Sequence, residues 1–132
     1  MIIDTHTLLW MDRDDPALGV RARQRIQADW LAGQVAVSAI SFWEVAMLAE
    51  RGRIVLPMPV GLWREDWLRA GLVEIPVDGR IALLSTQLEN LHRDPADRFI
   101  AAAALRLGAV LVTRDEKLQG LPGLQTLWNS GA

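Results

Sequence analysis

The fold class that this sequence predicts is an α/β sandwich around a mainly parallel central sheet of about five strands. Two features predict it: short apolar runs alternate with longer segments of helical periodicity, and Gly and Pro punctuate the joints between them. Strands that alternate with helices form parallel sheets whose right-handed crossovers put helices on both faces. Met1 to Ile3 is a short apolar run ending in Asp4, and Leu8, Leu9 and Trp10 suggest a helical turn. Asp15-Pro16 reads as an N-cap with a first-turn proline, ahead of a helix over Val20 to Leu31 with Val20, Ile26, Trp30 and Leu31 as its apolar stripe. Val35 to Val37 is a second strand, and Phe42 to Arg51 a helix stopped at Gly52. Pro57 and Pro59 close the apolar Ile54-Val55-Leu56, and Leu62, Trp63, Trp67 and Leu68 recur at a spacing that makes 60–70 a helix. Leu72 to Val77 is a third strand, and Arg80 to Leu91 a helix with Ile81, Leu84, Leu88 and Leu91 on one face. The alanine-rich Phe99 to Leu107 is a helix ended by Gly108, Ala109 to Thr113 is the fourth strand, and Leu124 to Trp128 the fifth.

The 132 residues suit one domain spanning 1–132 with one ordinary core, and a hydrophobic content of 51% argues against disorder. The longest apolar run, Phe99 to Leu105, is far short of the roughly 18 residues of a bilayer span. The start lacks a basic segment and an apolar leader, and no cysteine is present for cross-linking, so a cytoplasmic protein is expected. Without Cys, and with His6 and His92 as the only histidines, thiolate mechanisms and the usual zinc sites are excluded. Any metal chemistry has to be carboxylate chemistry. The net charge of −2 gives no basic footprint for nucleic acid. With four acids gathered in one pocket, however, the rest of the chain turns mildly basic, and thirteen of its fourteen basic residues are arginines.

Ligands of such folds sit beyond the carboxyl ends of the strands. Asp4 follows the first strand and Asp115 the fourth, while Glu44 and Asp97 lie in the first turns of helices that start at the same edge. Each acid has a plain alternative. Ser41-Phe42-Trp43-Glu44 matches a capping box, Asp94-Pro95 is an N-cap and first-turn proline, Asp97 favours the helix dipole, and Asp4 and Asp115 can cap the turns that follow. Together the four acids point elsewhere. At an effective dielectric near 20, two carboxylates ~4 Å apart repel by on the order of 4 kcal/mol, which a hard divalent cation such as Mg²⁺ or Mn²⁺ relieves. Such a cation can ionise water nearer neutral pH and polarise a phosphoryl oxygen, the requirements of phosphodiester hydrolysis.

Four blocks carry a resemblance: Ile2-Ile3-Asp4-Thr5-His6-Thr7-Leu8-Leu9-Trp10, Ser38-Ala39-Ile40-Ser41-Phe42-Trp43-Glu44-Val45, His92-Arg93-Asp94-Pro95-Ala96-Asp97-Arg98-Phe99-Ile100-Ala101-Ala102, and Leu111-Val112-Thr113-Arg114-Asp115. In order and spacing they resemble PIN-domain ribonucleases, and more narrowly the VapC toxins of bacterial toxin-antitoxin pairs. The resemblance implies a three-layer α/β/α sandwich, Mg²⁺- or Mn²⁺-dependent endoribonuclease activity on RNA, inhibition by a cognate antitoxin protein, and a homodimer. It also assigns the metal-binding and catalytic acids to Asp4, Glu44, Asp97 and Asp115, leaving the general base open and Asp94 as an N-cap.

Thr5, Ser38 and Thr113 carry hydroxyls near the same edge, either orienting carboxylates or making ordinary caps. Arg98 and Arg114 stand beside proposed ligands, to grip a phosphate or to form structural ion pairs. His6, a lone imidazole, is left outside the mechanism. Trp63 and Trp67 at i and i+4 suggest an exposed aromatic stripe that, with the segment from Met47 to Leu56, forms an antitoxin groove or a dimer contact. Other functions compete. A receiver-like signalling domain needs an acidic pair after the first strand and a lysine after the last, but the chain has Asp4-Thr5 and a single lysine, Lys117. A dehalogenase-type phosphohydrolase needs an Asp where His6 stands. A PIN-like module without nuclease activity, kept for protein binding, differs by showing no stabilisation with Mg²⁺.

Overall fold

The structure, a computed structural model, describes residues 1–89, 91 and 94–128. Its elements are β1 (Ile2–Ile3), α1 (Thr5–Arg13), α2 (Val20–Leu31), β2 (Ala36–Ser38), α3 (Ala39–Glu50), α4 (Val60–Ala70), β3 (Val73–Ile75), α5 (Gly79–Thr86), α6 (Pro95–Leu107), β4 (Leu111–Val112), α7 (Glu116–Gln119) and β5 (Thr126–Leu127). The five strands form one sheet in the order β3-β2-β1-β4-β5, and every pairing is parallel. Helices flank the sheet in a three-layer α/β/α arrangement.

Strand periodicity explains the two apolar layers. Ile2 pairs with Ala36 and Leu111, while Ile3 pairs with Val37 and Val112. Successive side chains point to opposite faces. Ile3, Val37 and Val112 pack with Leu8, Leu9, Ile26, Phe42, Val45 and Trp63 from α1 to α4. Ile2 and Leu111 pack with Ile81 and with Ile100 to Ala104, from α5 and α6. The alanines at 101–104 are all buried; their small side chains bring α6 close to the sheet at no cost in helix propensity.

The structure differs from the expected elements mainly at their ends. The expected turn at Leu8 to Trp10 is a full helix capped by Asp4. The second helix is capped by Gly19, and Asp15 instead accepts from Ala17 N at 2.8 Å in the preceding turn. The third begins at Ala39 because Ser38, not Ser41, is its N-cap, accepting from Ile40 N at 3.2 Å. The alanine-rich helix begins at Pro95 on its Asp94 cap and ends at Gly108, whose φ of 62° is the left-handed conformation that glycine takes without strain. The helix expected from Arg80 to Leu91 ends at Thr86, although Leu91 is buried; Asn90, within that expectation, and His92-Arg93 of the third sequence block lie outside the described residues. The four-residue α7 has no counterpart in the sequence reading.

The expected exposed stripe on α4 is overturned at Trp63. Trp63 is 2% exposed, packed edge-on against Phe42 at 6.0 Å and Trp67 at 6.3 Å, while Trp67 meets Trp30 at 5.9 Å. Trp63 belongs to the core between α3 and α4, while the half-buried Trp67 packs against that core and with Met58 and Asp66 borders a surface cavity. The α4 helix is tied to β3 by a two-pronged ion pair, with Arg64 Nε and Nη2 donating to Glu74 Oε2 and Oε1 at 2.7 and 2.8 Å. This pair holds the Glu74 carboxyl below its ordinary pKa.

Candidate active site

All strands run the same way, so the ends of β1, β2 and β4 and the starts of α1, α3 and α6 share one edge. Asp4 sits where β1 becomes α1 and is 6% exposed. Its Oδ1 accepts from Thr7 N at 2.9 Å and Thr7 Oγ1 at 2.6 Å, and a Thr113 hydroxyl bond supports it further. Burial raises its pKa, and these hydrogen bonds partly offset the rise. Asp4 is therefore an N-cap as well as a member of the site; the two roles use one carboxylate.

Thr113 links Asp4 to Asp115. Its Oγ1 accepts from Asp115 N at 3.1 Å while its hydroxyl bonds Asp4. Asp115 caps α7, accepting from Lys117 N at 2.9 Å. Glu44 projects from the second turn of α3, not the first, because that helix starts earlier than expected; with Ser41 inside the helix, the capping-box alternative does not apply. Burial raises the Glu44 pKa; a Thr5 hydroxyl bond opposes this, and the charges of Asp94 and Asp4 add to it. Thr5 Oγ1 also lies 2.9 Å from Ser41 Oγ.

Asp97, in the first turn of α6, registers the whole assembly. Its pKa rises from 3.8 to about 8, through burial first and then through the charges of Asp94, Glu44, Asp4 and Asp115. The four predicted acids thus sense one another across four separate segments of chain. Asp94 joins them electrostatically while keeping its N-cap role, accepting from Ala96 N at 3.0 Å. As arranged, no three His, Asp or Glu side chains among the described residues are drawn together tightly enough to hold an ion between them. The donor set still suits a hard cation: it is all oxygen, and proximity alone loads it with repulsion. Mg²⁺ keeps several waters and needs only one or two direct carboxylates, so an open array around a pocket fits it better than a closed cage.

Three of the four acids border a cavity of about 350 Å³ lined by Asp4, His6, Trp10, Asp97, Arg114 and Asp115, and Glu44 is not part of that lining. Two of these linings, His6 and Trp10, add to the sequence reading, and Arg114 stands where it was expected, beside Asp115. His6, set aside there, stands on the wall with its ring 5.9 Å from Trp10. Trp10 is half-buried on the same helix, and the exposed Arg114 places its guanidinium carbon 6.0 Å over the Trp10 ring. Thr7 was also missed, although its place three residues after Asp4 is the ordinary signal of a capped helix start.

One expected role changes, and for Ser38 the capping alternative holds. Arg98 does not face the acids' cavity; its Nε, Nη1 and Nη2 donate to the carbonyls of Ser85, Leu91 and Leu88 at 3.0, 3.1 and 2.9 Å. It pins α6 to the last turn of α5 and to the chain leaving it, a role outside both alternatives. Ser38 is buried and acts as a helix cap.

Comparison with known proteins bears on the chain as a whole. The model of the PIN domain matches residues 1–124. The chain is 34% identical over 131 residues to Ribonuclease VapC22 of Mycobacterium tuberculosis, a match that covers 97% of this chain and 98% of that relative. Among solved structures, DNA-bound VapBC from Salmonella typhimurium is similar with a TM-score of 0.73 and 21% identity, covering 96% of this chain and 95% of that one. VapBC2 from Rickettsia felis, bound to a promoter DNA fragment, gives 0.70 and 18%, covering 96% and 97%. A toxin-antitoxin complex from Klebsiella pneumoniae gives 0.66 and 22%, covering 99% and 98%. The structural likenesses speak for the shared fold.

Proposed function

We propose that this chain, which belongs to the PIN-domain family and within it to the VapC group, is an endoribonuclease that uses Mg²⁺ or Mn²⁺ and serves as the toxin of a toxin-antitoxin pair. In this reading the whole chain, 1–132, is one nuclease domain working on RNA in the cytoplasm as a homodimer, held inactive by an antitoxin protein. Similarity to a named ribonuclease and to chains from toxin-antitoxin complexes supports the activity and the partner. The observation that supports the metal dependence is the convergence of Asp4, Glu44, Asp97 and Asp115 from four segments of chain, close enough that their charges, with that of Asp94, push the pKa of Asp97 up.

Asp4, Glu44, Asp97 and Asp115 would hold the cation, which when bound neutralises phosphodiester charge and makes water easier to ionise. The protein's own groups prepare that chemistry. Thr7 and Thr113 fix the Asp4 carboxylate by hydrogen bonds to its charged form. Thr5 does the same for Glu44. The N-terminus of α6 lies under Asp97 and favours its anion once positive charge arrives. Arg114, exposed at the cavity, presents a planar donor set to a phosphate.

The test is cleavage of a mixed cellular RNA pool by wild-type protein and Asp97→Asn, each stripped of antitoxin and assayed with Mg²⁺ and with EDTA. Cleavage only by the wild type with metal is the expected result. A folded, antitoxin-free protein that neither cuts nor gains thermal stability with Mg²⁺ would instead be a PIN-like binding module.

A further inference from the structure

Asp4, Asp97 and Asp115 account for half of the residues lining the 350 Å³ cavity; the other half, His6, Trp10 and Arg114, are not among the acids proposed to hold a cation. Trp10 is well anchored for a surface aromatic. Its ring packs 5.6 Å from that of Trp128, which is buried, and it is half-buried among the core residues beneath α1. What remains exposed borders the space beside Asp4, Asp97 and Asp115. An indole held rigidly beside a phosphodiester-cleaving centre matches the two halves of a nucleotide: a charged phosphate and a flat, apolar base. Aromatic platforms are how proteins hold unpaired bases, and every base offers a face to stack.

We propose that Trp10 is the floor of a nucleobase subsite, on which the base adjoining the scissile phosphate stacks, with Arg114 swinging from the indole to that phosphate. The inference rests on the nuclease reading and adds to it the element that positions substrate. The present Arg114 contact, 6.0 Å from guanidinium carbon to ring centroid, is at the outer limit of cation–π attraction, so a better-stacked base displaces it readily. His6, one turn before Trp10 and tilted by 31° from its plane, extends the same wall. The cavity has the volume of a small-ligand site, enough for one nucleotide rather than a duplex.

Equilibrium binding separates this subsite from general phosphate attraction. The probes are a short oligoadenylate and an abasic ribose-phosphate chain of equal length, with Mg²⁺, on antitoxin-free protein carrying Asp97→Asn so that nothing is cut. The base-bearing chain should bind roughly 5- to 100-fold more tightly and quench tryptophan fluorescence. Adding Trp10→Ala should abolish that advantage while abasic binding persists, and Trp10→Phe should restore most of it. Arg114→Ala should weaken both chains alike and reduce the salt dependence by about one phosphate contact. Equal binding of the two chains by the parent overturns the subsite while leaving the nuclease reading intact, as does equal loss of both in a folded Trp10→Ala protein. Trp10→Ala that releases a co-purified protein yet keeps the base preference also overturns it, making the wall a protein contact. Binding of neither chain overturns the subsite, and the nuclease reading then stands or falls on cleavage by the wild type with Mg²⁺.

Discussion

Replacing Asp97 by Asn should make the metal-free protein more stable, by an amount that grows with pH. In the unfolded chain this carboxyl titrates near its ordinary 3.8, whereas the fold retains its proton to about 8. Between those values the folded state binds more protons than the unfolded one, so this group's contribution to stability falls as pH rises through the window. A tenfold factor is worth about 1.4 kcal/mol, which sets a ceiling of about 6 kcal/mol above the folded pKa. Asp97 keeps some contact with solvent, and screening reduces the figure to roughly 1–3 kcal/mol. Losing a charge from the first turn of α6 costs about 0.3–1 kcal/mol in the opposite direction. The net gain expected of Asp97→Asn is therefore roughly 1–2 kcal/mol at about pH 8.5, shrinking to a few tenths near pH 5, where the folded wild type is already protonated.

Urea unfolding in EDTA at those two pH values measures both numbers. With Mg²⁺ the order should reverse, because only the wild type gains about 2.7 kcal/mol at a hundredfold excess over Kd. A loss of stability of similar size at both pH values would refute the reasoning. That is the signature of a residue that merely serves the helix start, ionised in both states and indifferent to its neighbours.

Two other substitutions probe the support around the acids. Thr7→Val removes the 2.6 Å hydroxyl bond to buried Asp4; it should cost about 1.5–3 kcal/mol near neutral pH and about 10-fold or more in RNA cleavage. Because that bond lowers the Asp4 pKa, the stability loss should fade as pH falls and Asp4 protonates, which denaturation at acid pH would show. Arg98→Met deletes three bonds to backbone carbonyls and should cost about 2–4 kcal/mol in unfolding experiments. The cleavage rate per folded molecule should stay near wild type, whereas a phosphate-gripping arginine would lose rate and keep stability.

The strand-end acids were legible because their positions follow from topology. Asp4 ends an apolar run and Asp115 comes three residues after Val112 ends another, so any parallel arrangement carries both to one edge. Asp97 was legible for a similar reason, since Asp94-Pro95 announces a helix start. What failed concerns faces. The spacing of Trp63 and Trp67 reveals a helix but not which side packs, and here Phe42 and Trp30 meet that side. Arg98 follows Asp97 directly, yet successive helical side chains diverge by about 100°, and that turn sends it to the carbonyls behind α6. His6 looked solitary because the helix was read from Leu8; once α1 begins at Thr5, His6 and Trp10 are neighbours one turn apart.

The candidate site also depends on the register of β1. Ile3 pairs with Val37 and Val112, and Asp4 N continues the ladder to Val112 O at 3.1 Å. A slip of one residue in β1 would exchange Ile2 and Ile3 between two differently filled apolar layers, so the core resists it. It would also move Asp4 by about 3.3 Å along the strand, away from Thr113 and the acids of α3 and α6. Opposing burial of two adjacent isoleucines therefore helps to hold five mutually repelling carboxyls at one edge, where without a cation they have every electrostatic reason to separate.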